Sequence, residues 1–489
     1  MTPDLRNLAD LVRRAAAGQP DKTALIEGDE SLTWGELDAR VDDIAAVLRD
    51  RAGGPGNRIG LLLPNGIDFA VAYFAVLRAD SVVLPLNTGF TSAELDYQIN
   101  DAGARLVITD PERADRLSGV AALDVTASEW ASPPTAGRID PQSGGEDLAA
   151  LLYTSGTTGR PKGAMLSHRA LLANLSQLSE IRPPVVAPDD VVLLVLPLFH
   201  VYGLNSGLGM TAYVGATGVL ADRFDPVDTL SLVQRTHVSN IVGAPPMYVA
   251  WSMLPEVGEA LESLRVAVSG AAPLPTTVLA AMLETAGHHV FEGYGLTETA
   301  PVLSTTLCSE VPKPGSIGRP IPGVEVRLLD DSGDDADEGD PGEIVVRGAN
   351  LFSGYWPDGA DGPDADGWFR TGDVAYADPE GDLFLVDRVR ELILVSGFNV
   401  YPREVEEVIV THPAVAEVAV IGIPHPYTGE TVKALVVPES GQNLTADDVI
   451  DWAARRLARF KCPTSVEFVE ELPHSLAGKV AKGRLRESA

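Results

Sequence analysis

Short apolar segments alternate with helix-like segments through the first part of the chain, and this alternation constrains the fold more than any other feature. The apolar runs lie at 59–63, 82–86, 106–109, 149–153 and 191–196, and the helix-like segments at 66–78, 92–101 and 167–179. Apolar runs this short are typical of strands buried on both faces, which occur in parallel sheets covered by helices. We therefore predict an α/β fold built from helix-covered sheets. A capping-box pattern from Thr33 to Glu36 predicts one further helix that begins near Gly35.

Beyond about residue 320 the pattern changes to short strands, at 324–329, 343–347, 383–386 and 392–395. A smaller unit follows, with a helix at 405–410, strands at 415–423 and 431–438, and a helix introduced by Thr445. We place the boundary in the charged segment 387–391. The predicted organisation is a large N-terminal domain at 1–386 that includes a β-barrel-like part, a hinge at 387–390, and a small mobile α+β C-terminal domain at 391–489.

Composition excludes several classes of function. With 489 residues, 45% of them hydrophobic, the chain is too long for one ordinary domain. A formal net charge of -32 disfavours nucleic acid as the partner. Cys308 and Cys462 have no metal-ligand spacing, so neither a zinc site nor a disulfide framework is supported. The sequence shows no secretion signal and no apolar stretch long enough for a membrane span, and we expect a cytoplasmic protein.

The strongest local signal is a segment rich in glycine and hydroxyl groups that follows the apolar run at 149–153. Its backbone N–H groups, hydroxyls and lysine are the groups that bind polyphosphates, whereas an ordinary flexible turn would rarely concentrate so many donors. The candidate phosphate ligands are Thr154, Ser155, Gly156, Thr157, Thr158, Gly159 and Lys162. We expect the segment to precede a helix around Ser167 and His168. The Gly-Lys-Ser/Thr sequence of a Walker A loop is absent, which disfavours a P-loop NTPase.

Further motifs follow in a fixed order along nearly the whole chain. They are Pro197-Leu-Phe-His200, Gly270-Ala-Ala-Pro273, Gly293-Tyr-Gly-Leu-Thr-Glu-Thr299, the segment 342–348 with Gly354-Tyr-Trp356, Thr371-Gly-Asp373, Asp387-Arg388, the segment 396–402 and Gly478-Lys479. In this order and spacing, the sequence closely resembles the adenylate-forming superfamily of acyl-CoA synthetases, luciferases and adenylation domains. The resemblance favours its acyl-CoA synthetase branch.

The resemblance implies a nucleotide site for ATP and Mg²⁺. An aromatic face at Tyr294 would stack on adenine, Thr297 would hydrogen-bond a phosphate, and Glu298 is a hard oxygen ligand for Mg²⁺. Asp373 would accept both ribose hydroxyls, and Arg388 would contact the ribose or a phosphate. The remaining predicted contacts to ATP or AMP are Gly270, Ala271, Ala272, Glu292, Gly293 and Gly295. The alternative is that Tyr294 is a core residue and Glu298 a helix N-terminal charge.

The C-terminal part of the resemblance implies a catalytic lysine and a rotating domain. Lys479 matches the lysine that stabilises negative charge on the α-phosphate in the transition state. Lys482 lies nearby but lacks the preceding glycine. Arg390 occupies the hinge position, where family members usually carry Asp or Lys. Ser396 and Gly397 match the segment that lines the tunnel for a thiol arm.

The acyl pocket is implied by family position. Its predicted walls are His200, Gly203, Ala244, Met247, Val268 and Gly293. His200 would border the carboxylate and is counted among the catalytic residues with Thr297, Glu298 and Lys479. No acidic residue follows Phe199 closely, which disfavours an amino acid, and no arginine lies in these motifs to meet a second carboxylate. A monocarboxylic acid, fatty or aromatic, is therefore expected, with a fatty acid preferred.

The predicted reaction is formation of acyl-AMP and pyrophosphate, followed by transfer of the acyl group to coenzyme A. An acyl carrier protein is the alternative acceptor, since Arg459, Lys461 and neighbouring basic residues could contact either an acidic protein or the CoA phosphate. No insertion follows Glu391 of the kind that impedes CoA in fatty acyl-AMP ligases, which favours CoA. A non-catalytic acyl-adenylate or AMP binder and a luciferase-type enzyme remain open. We expect a monomer or a homodimer.

Overall fold

A computed structural model describes residues 5–154, 161–330, 332–388, 393–395, 398–425, 429–474, 480, 482 and 485. The chain divides into two compact units. The first comprises Met1–Glu325 with Arg347–Phe369, and the second comprises Val326–Val346 with Arg370–Ala489. The hinge predicted at 387–390 falls within the second stretch of the second unit, and its role as a domain boundary stays a prediction.

The described part of the chain contains fourteen α-helices. They are α1 Asp10–Gly18, α2 Trp34–Ala52, α3 Ile67–Arg78, α4 Ser92–Ala102, α5 Pro111–Ala114, α6 Ser128–Ala131, α7 His168–Ser179, α8 Met210–Val214, α9 Pro226–Arg235, α10 Pro245–Trp251, α11 Val257–Ala260, α12 Thr276–Ala286, α13 Pro402–Ile409 and α14 Ala446–Ala454. A π-helix at Tyr202–Gly209 runs directly into α8.

The strands of the described residues fall into four sheets. They are β1 Thr23–Glu27, β2 Glu30–Thr33, β3 Arg58–Leu62, β4 Val82–Pro85, β5 Leu106–Thr109, β6 Ala121–Asp124, β7 Leu148–Thr154, β8 Lys162–Ser167, β9 Val191–Leu194, β10 Thr217–Leu220, β11 Asn240–Gly243, β12 Val266–Ser269, β13 Val290–Gly295, β14 Val302–Thr305, β15 Arg319–Pro320, β16 Val324–Leu329, β17 Gly342–Gly348, β18 Trp368–Ala377, β19 Leu383–Arg388, β20 Ile393–Val395, β21 Phe398–Val400, β22 Val415–His425, β23 Gly429–Pro438 and β24 Ser465–Phe468.

Two largely parallel sheets form the first unit. The larger has the order β15-β14-β13-β12-β11-β9-β10-β1-β2, and the other β6-β5-β3-β4-β7-β8. Their central pairs are parallel, while β2, β8, β14 and β15 are antiparallel additions at the edges. Apolar side chains of β9 to β12 and of α9 to α12 pack into one buried cluster. The predicted helix-covered α/β sheets are therefore present.

The helices begin where short-range hydrogen bonds satisfy their first N–H groups. Thr33 caps α2 and Thr91 caps α4, each in a capping box with the glutamate three residues on. Gly53 and Gly103 end the same two helices in the left-handed conformation. Among the described residues, no helix combines the length and the apolar character needed to cross a membrane.

The second unit contains the β-rich region and a small α+β sheet. The order β16-β17-β18-β19 forms a four-stranded sheet, and β21-β20-β23-β22 with β24 beside β23 forms the other. Helices α13 and α14 cover the latter sheet, with Val405, Ile409 and Val449 fully buried against its strands.

Candidate active site

The predicted phosphate loop joins two antiparallel strands. Strand β7 ends at Thr154, whose Cα lies opposite Lys162 at the start of β8. The predicted loop residues Ser155, Gly156, Thr157, Thr158 and Gly159 lie outside the described residues. The helix expected around Ser167 and His168 is present, since Ser167 caps α7 and α7 begins at His168. Strand β8, which was not predicted, lies between the loop and this helix.

Lys162 is held by one short segment that follows β17. Its Nζ lies 2.8 Å from Asp361 Oδ2 and 5.1 Å from the centre of the Tyr355 ring. The same segment hydrogen-bonds along β8, because Trp356 N donates to Gly163 O and Ser353 N donates to Met165 O. Lys162 is 43% exposed at its side chain, so its charge remains accessible to a ligand.

Glu298 occupies a short 3₁₀-helix, Thr297–Thr299, immediately after β13. Tyr355 donates its hydroxyl hydrogen to Glu298 Oε1 across 2.5 Å, and Phe352 N donates to Glu298 O. Thr297 and Glu298 are both half-buried. Among the described residues, no three metal-ligating side chains form a cluster. A divalent ion in this region would therefore be held by a single carboxylate, such as that of Glu298. Such a site suits Mg²⁺, which is commonly held by one or two carboxylates plus phosphates and water.

Three buried asparagines fix the turn that carries Thr297 and Glu298. Asn205 Nδ2 donates to Ala300 O at 2.7 Å, Asn350 Nδ2 donates to Thr299 O at 2.8 Å, and Asn174 Nδ2 donates to Val302 O at 2.9 Å. All three side chains are fully buried. They come from the π-helix, the segment after β17, and α7, so three separate elements determine where this turn lies.

The predicted adenine contacts Gly270, Ala271 and Ala272 follow the carboxyl end of β12. Gly270 N donates to Gly243 O at 3.1 Å, and Ala271 has φ +71°, in the left-handed region that non-glycine residues rarely occupy. Ala271 and Ala272 are half-buried. Backbone strain of this kind clusters at ligand sites. Here the strained residue turns the chain sharply just beyond the carboxyl end of β12.

Strand β13 carries the other predicted nucleotide contacts. Glu292 is buried, and its Oε1 accepts a hydrogen bond from Leu274 N. Tyr294 is half-buried. A Cβ on Gly295 would lie 1.8 Å from Pro301 O, so only glycine fits there, whereas the nearest atoms to a Cβ on Gly293 are 3.8 Å away. A Cβ at Gly293 would therefore make only ordinary van der Waals contacts.

Apart from Met247, the predicted acyl-pocket residues lie on or directly beside the π-helix and strands β11 to β13. His200 is exposed, and its Nδ1 accepts a hydrogen bond from Tyr202 N at 3.2 Å. A Cβ on Gly203 would lie 2.5 Å from Pro197 O, so this position is closed to any side chain. Ala244, just before α10, is half-buried. Val268 Cγ1 lies 3.9 Å from the Cβ position of Gly293, which brings these two predicted walls together.

Met247 is placed differently from the other predicted walls. It is buried on α10 and packs in the apolar cluster between β9 to β12 and the helices that cover them. Tyr202, in contrast, was not predicted. Its ring lies where a Cβ on Gly270 would be, and its buried hydroxyl has no hydrogen-bond partner among the described residues. Burial raises the pKa of this phenol far above its usual value.

The second unit brings together the two predicted ribose contacts. Asp373 on β18 is 5% exposed, and its Cα pairs with that of Arg388 on β19. Thr371 Oγ1 accepts from Asp373 N and donates to Ile344 O, which anchors the turn before Asp373. The side chain of Arg388 lies outside the described part of the chain, as do Arg390, Ser396, Gly397 and Lys479. Lys482 Nζ forms an ion pair with Glu406 at 2.8 Å.

The main contacts missed at the level of sequence are those of Tyr355, Asp361 and the three asparagines. Tyr355 belongs to the motif Gly354-Tyr-Trp356, to which the sequence alone assigns no role. Its position in an ordered series of site motifs was the available signal. Nothing in the sequence marks the asparagines, because their partners lie far away along the chain.

Comparison with known proteins assigns the family. A family model described as AMP-binding enzyme matches residues 12–356, and one described as AMP-binding enzyme C-terminal domain matches residues 404–479. The chain belongs to the AMP-binding enzymes. Within this adenylate-forming family, a feruloyl-CoA synthase of Amycolatopsis sp is 39% identical over 97% of each chain. A long-chain-fatty-acid–CoA ligase of Bacillus subtilis (strain 168) is 32% identical, covering 99% of this chain and 94% of its own.

Solved structures of AMP-binding enzymes superpose closely on this one. ATP-bound MatB from Rhodopseudomonas palustris gives a TM-score of 0.91 at 35% identity and 99% coverage of both chains. The o-succinylbenzoate CoA synthetase MenE from Bacillus subtilis, in complex with an acyl-adenylate, gives 0.86 at 30% identity and 98% coverage of both. The predicted family, fold class and enzyme class, an AMP-forming acid–thiol ligase, are confirmed.

Proposed function

We propose that this AMP-binding enzyme activates a monocarboxylic acid with ATP to form acyl-AMP and pyrophosphate, and then transfers the acyl group to CoA. The observation that carries the proposal is the meeting of Lys162 and Glu298 at Tyr355. A cation beside the phosphate loop and a carboxylate suited to Mg²⁺ thus converge on one side chain. A polyphosphate bound with its metal requires both.

In the first half-reaction, a carboxylate oxygen attacks the α-phosphorus in line, and the bond from that phosphorus to the bridging oxygen of pyrophosphate breaks. Lys162 and the loop at 154–159 hold the phosphates that leave, and Lys479 stabilises charge on the α-phosphate. Mg²⁺, when bound at Glu298, supplies positive charge to the triphosphate. The contribution of the protein is mainly positioning and charge neutralisation.

The nucleoside and the acid are held by the other predicted contacts. The segment 270–272 and Tyr294 provide a flat surface for adenine, and the Asp373 carboxylate accepts hydrogen bonds from the ribose hydroxyls, with Arg388 as a donor to the ribose or a phosphate. His200 borders the carboxylate at the mouth of the acyl pocket. The buried position of the Asp373 side chain and the hydrogen bond from its backbone N to Thr371 Oγ1 support this role, because a side chain ordered in advance loses little entropy when it binds two hydroxyls.

In the second half-reaction, the C-terminal domain rotates about Arg390 and brings Ser396 and Gly397 to the site. The CoA thiol then loses its proton and attacks the acyl carbon, and the bond from that carbon to AMP breaks. The predicted domain boundary at 387–390 belongs to this proposal. Arginine at the hinge keeps the charged character of the position.

The acid is proposed to be a fatty acid in the first instance, in line with the relatives named long-chain-fatty-acid–CoA ligases. One observation favours an aromatic acid as the second candidate. The buried Tyr202 hydroxyl lacks a partner among the described residues and lies beside Gly270, where a ring substituent could accept or donate a hydrogen bond. A panel of fatty, hydroxylated aromatic and unsubstituted aromatic acids, assayed with wild type and Tyr202→Phe, separates the two candidates.

CoA is the proposed acceptor, and an acyl carrier protein is the alternative. Lys461 forms an ion pair with Glu404 at 2.7 Å, so its charge is already engaged. Arg459 is the cleaner position for a test of docking. If Arg459 and the neighbouring basic residues contact the acceptor, Arg459→Glu raises the KM for CoA and leaves the KM for ATP unchanged. Equal KM values in wild type and variant would count against such a contact.

The assignment of Lys479 is tested by separating the two half-reactions. Lys479→Ala should abolish acid-dependent release of pyrophosphate while thiolysis of supplied acyl-AMP proceeds at nearly the wild-type rate. An equal loss of both steps would mean that Lys479 is not specific to adenylation. Lys479→Arg, which retains the charge with another shape, serves as the matched comparison.

A further inference from the structure

Tyr355 is held rigidly at the centre of the proposed phosphate and metal site. Its backbone N donates to Ala360 O at 2.9 Å, and its carbonyl accepts from Gly359 N at 2.8 Å. Its ring packs edge to face on Phe352, with the ring centres 5.1 Å apart. The direction of its hydroxyl is thus set by a closed turn and by buried aromatic packing rather than by the ligand.

The hydroxyl of Tyr355 fixes one oxygen of a carboxylate that would otherwise rotate. It donates to Glu298 Oε1 at 2.5 Å, whereas Oε2 has no donor among the described residues. A glutamate side chain loses appreciable rotamer entropy when it is ordered. A carboxylate ordered in advance on one oxygen therefore presents the other to a cation at lower cost.

The same aromatic ring also faces the lysine of the site. Lys162 Nζ lies 5.1 Å from the ring centre and pairs with Asp361 from the same turn. The ring and the hydroxyl thus act on different charges, the ring on the ammonium and the hydroxyl on the carboxylate. Phenylalanine would retain the first contact and lose the second, which makes the hydroxyl separable by substitution.

We propose that Tyr355 is a positioning residue whose hydroxyl orients Glu298 for the divalent cation of the ATP complex. The inference rests on the proposed role of Glu298 as the Mg²⁺ ligand. It assigns Tyr355 no contact with substrate. The hydroxyl acts through Glu298, so its loss should lower metal affinity by about tenfold, the lower end of the range for groups that orient a metal ligand.

The test measures Mn²⁺ binding to the full-length enzyme saturated with a non-hydrolysable ATP analogue, without acid or CoA, by electron paramagnetic resonance. Tyr355→Phe should weaken Mn²⁺ binding about tenfold. Its affinity for the analogue in EDTA and its melting midpoint should stay close to wild type. Tyr213→Phe is the matched control, because Tyr213 is also half-buried beside a basic side chain, Arg14, and lies outside the proposed site.

Glu298→Gln separates failure of this inference from failure of the proposed function. If Glu298→Gln weakens Mn²⁺ binding and Tyr355→Phe does not, Glu298 binds the metal without help from Tyr355, and the inference is overturned. If neither variant weakens it, the metal role of Glu298 fails and the inference fails with it. A Tyr355→Phe enzyme that loses affinity for the metal-free analogue to the same extent would show a general structural role, which also overturns the inference.

Discussion

Replacement of Asn205 by alanine should damage both stability and adenylation, because this one amide joins three elements of the first unit. Its Nδ2 donates to Ala300 O at 2.7 Å and to Leu171 O at 3.1 Å, and the side chain is fully buried. Leu171 O lies within α7 and keeps a helical N–H donor after the substitution. Ala300 O receives no backbone hydrogen bond from the described residues and would be left unsatisfied.

The expected loss of stability follows from this difference. The buried carbonyl of Ala300, left without a hydrogen bond, costs about 1–3 kcal/mol. Loss of the second hydrogen bond, to Leu171 O, costs about 1 kcal/mol. Part of this is offset, since Asn205 Oδ1 is itself buried without a partner among the described residues and is removed by the substitution. We therefore expect the first unit to lose about 2 kcal/mol of stability.

The functional consequence is larger than the loss of stability alone. Ala300 follows the turn of Thr297 and Glu298, and a displacement of about 1 Å at reacting groups can lower a rate ~100-fold. Urea unfolding followed by tryptophan fluorescence reports stability, and acid-dependent pyrophosphate release at low temperature reports the rate for folded enzyme. We expect the rate to fall about 10- to 100-fold.

Asn57→Ala is the matched control for Asn205→Ala. Asn57 Nδ2 also donates to two carbonyls, Ala52 O at 2.8 Å and Gly54 O at 2.9 Å, but at a half-buried position outside the proposed site. It should lower stability and leave the rate of adenylation unchanged. If Asn205→Ala loses stability with a wild-type rate of pyrophosphate release, the amide does not position the turn and the reasoning is refuted.

Three other substitutions test separate parts of the structure. Tyr202→Phe should raise stability by about 1 kcal/mol in urea unfolding, because it removes a buried hydroxyl without a described partner; a loss of stability would show that the hydroxyl is bonded. Lys482→Met should reduce adenylation far less than Lys479→Ala in pyrophosphate release, since the ion pair with Glu406 keeps Lys482 from the reaction; equal losses would contradict this. Burial lowers the pKa of His168 from 6.5 to about 4, so the folded protein binds fewer protons than the unfolded chain between these values and loses stability as the pH falls through that window. About 2 kcal/mol should be lost between pH 7 and pH 5, and His168→Gln should show a smaller loss in parallel urea titrations.

The elements of the fold were predictable where the signal is local. The capping box from Thr33 to Glu36 predicted a helix near Gly35, and α2 begins at Trp34 with that capping box formed. Apolar runs likewise predicted β3, β4 and β5, which are buried on both faces of a parallel sheet. Such signals depend on a few neighbouring residues, so they can be recognised without the fold.

Strand β8 shows where local signals fail. Its sequence, Lys162 to Ser167, contains few large apolar residues, and its last residue is a helix N-cap. The sequence predicts the helix that follows, but it does not predict this strand. Pairing with the buried strand β7 stabilises β8, and that pairing is a tertiary contact rather than a property of its own residues.

The candidate site likewise contains residues that local motifs indicate and contacts that only the tertiary structure reveals. Ordered motifs predict Lys162, Glu298 and Asp373 as site residues, and their chemistry indicates the roles proposed for them. The contact of Tyr355 with Glu298 spans 57 positions and that of Asn205 with Ala300 spans 95. Contacts over such separations are set by how the elements pack, and neither composition nor spacing encodes them in one sequence.

Acid-dependent exchange of labelled pyrophosphate into ATP, measured without CoA, tests the central claim most directly. The exchange is the reversal of the first half-reaction, so it requires that acyl-AMP forms before the thiol enters. We predict that wild-type enzyme with Mg²⁺, ATP and a suitable monocarboxylic acid supports exchange, and that omission of the acid abolishes it. Formation of acyl-CoA with ADP and phosphate as products, and with no exchange, would contradict the account.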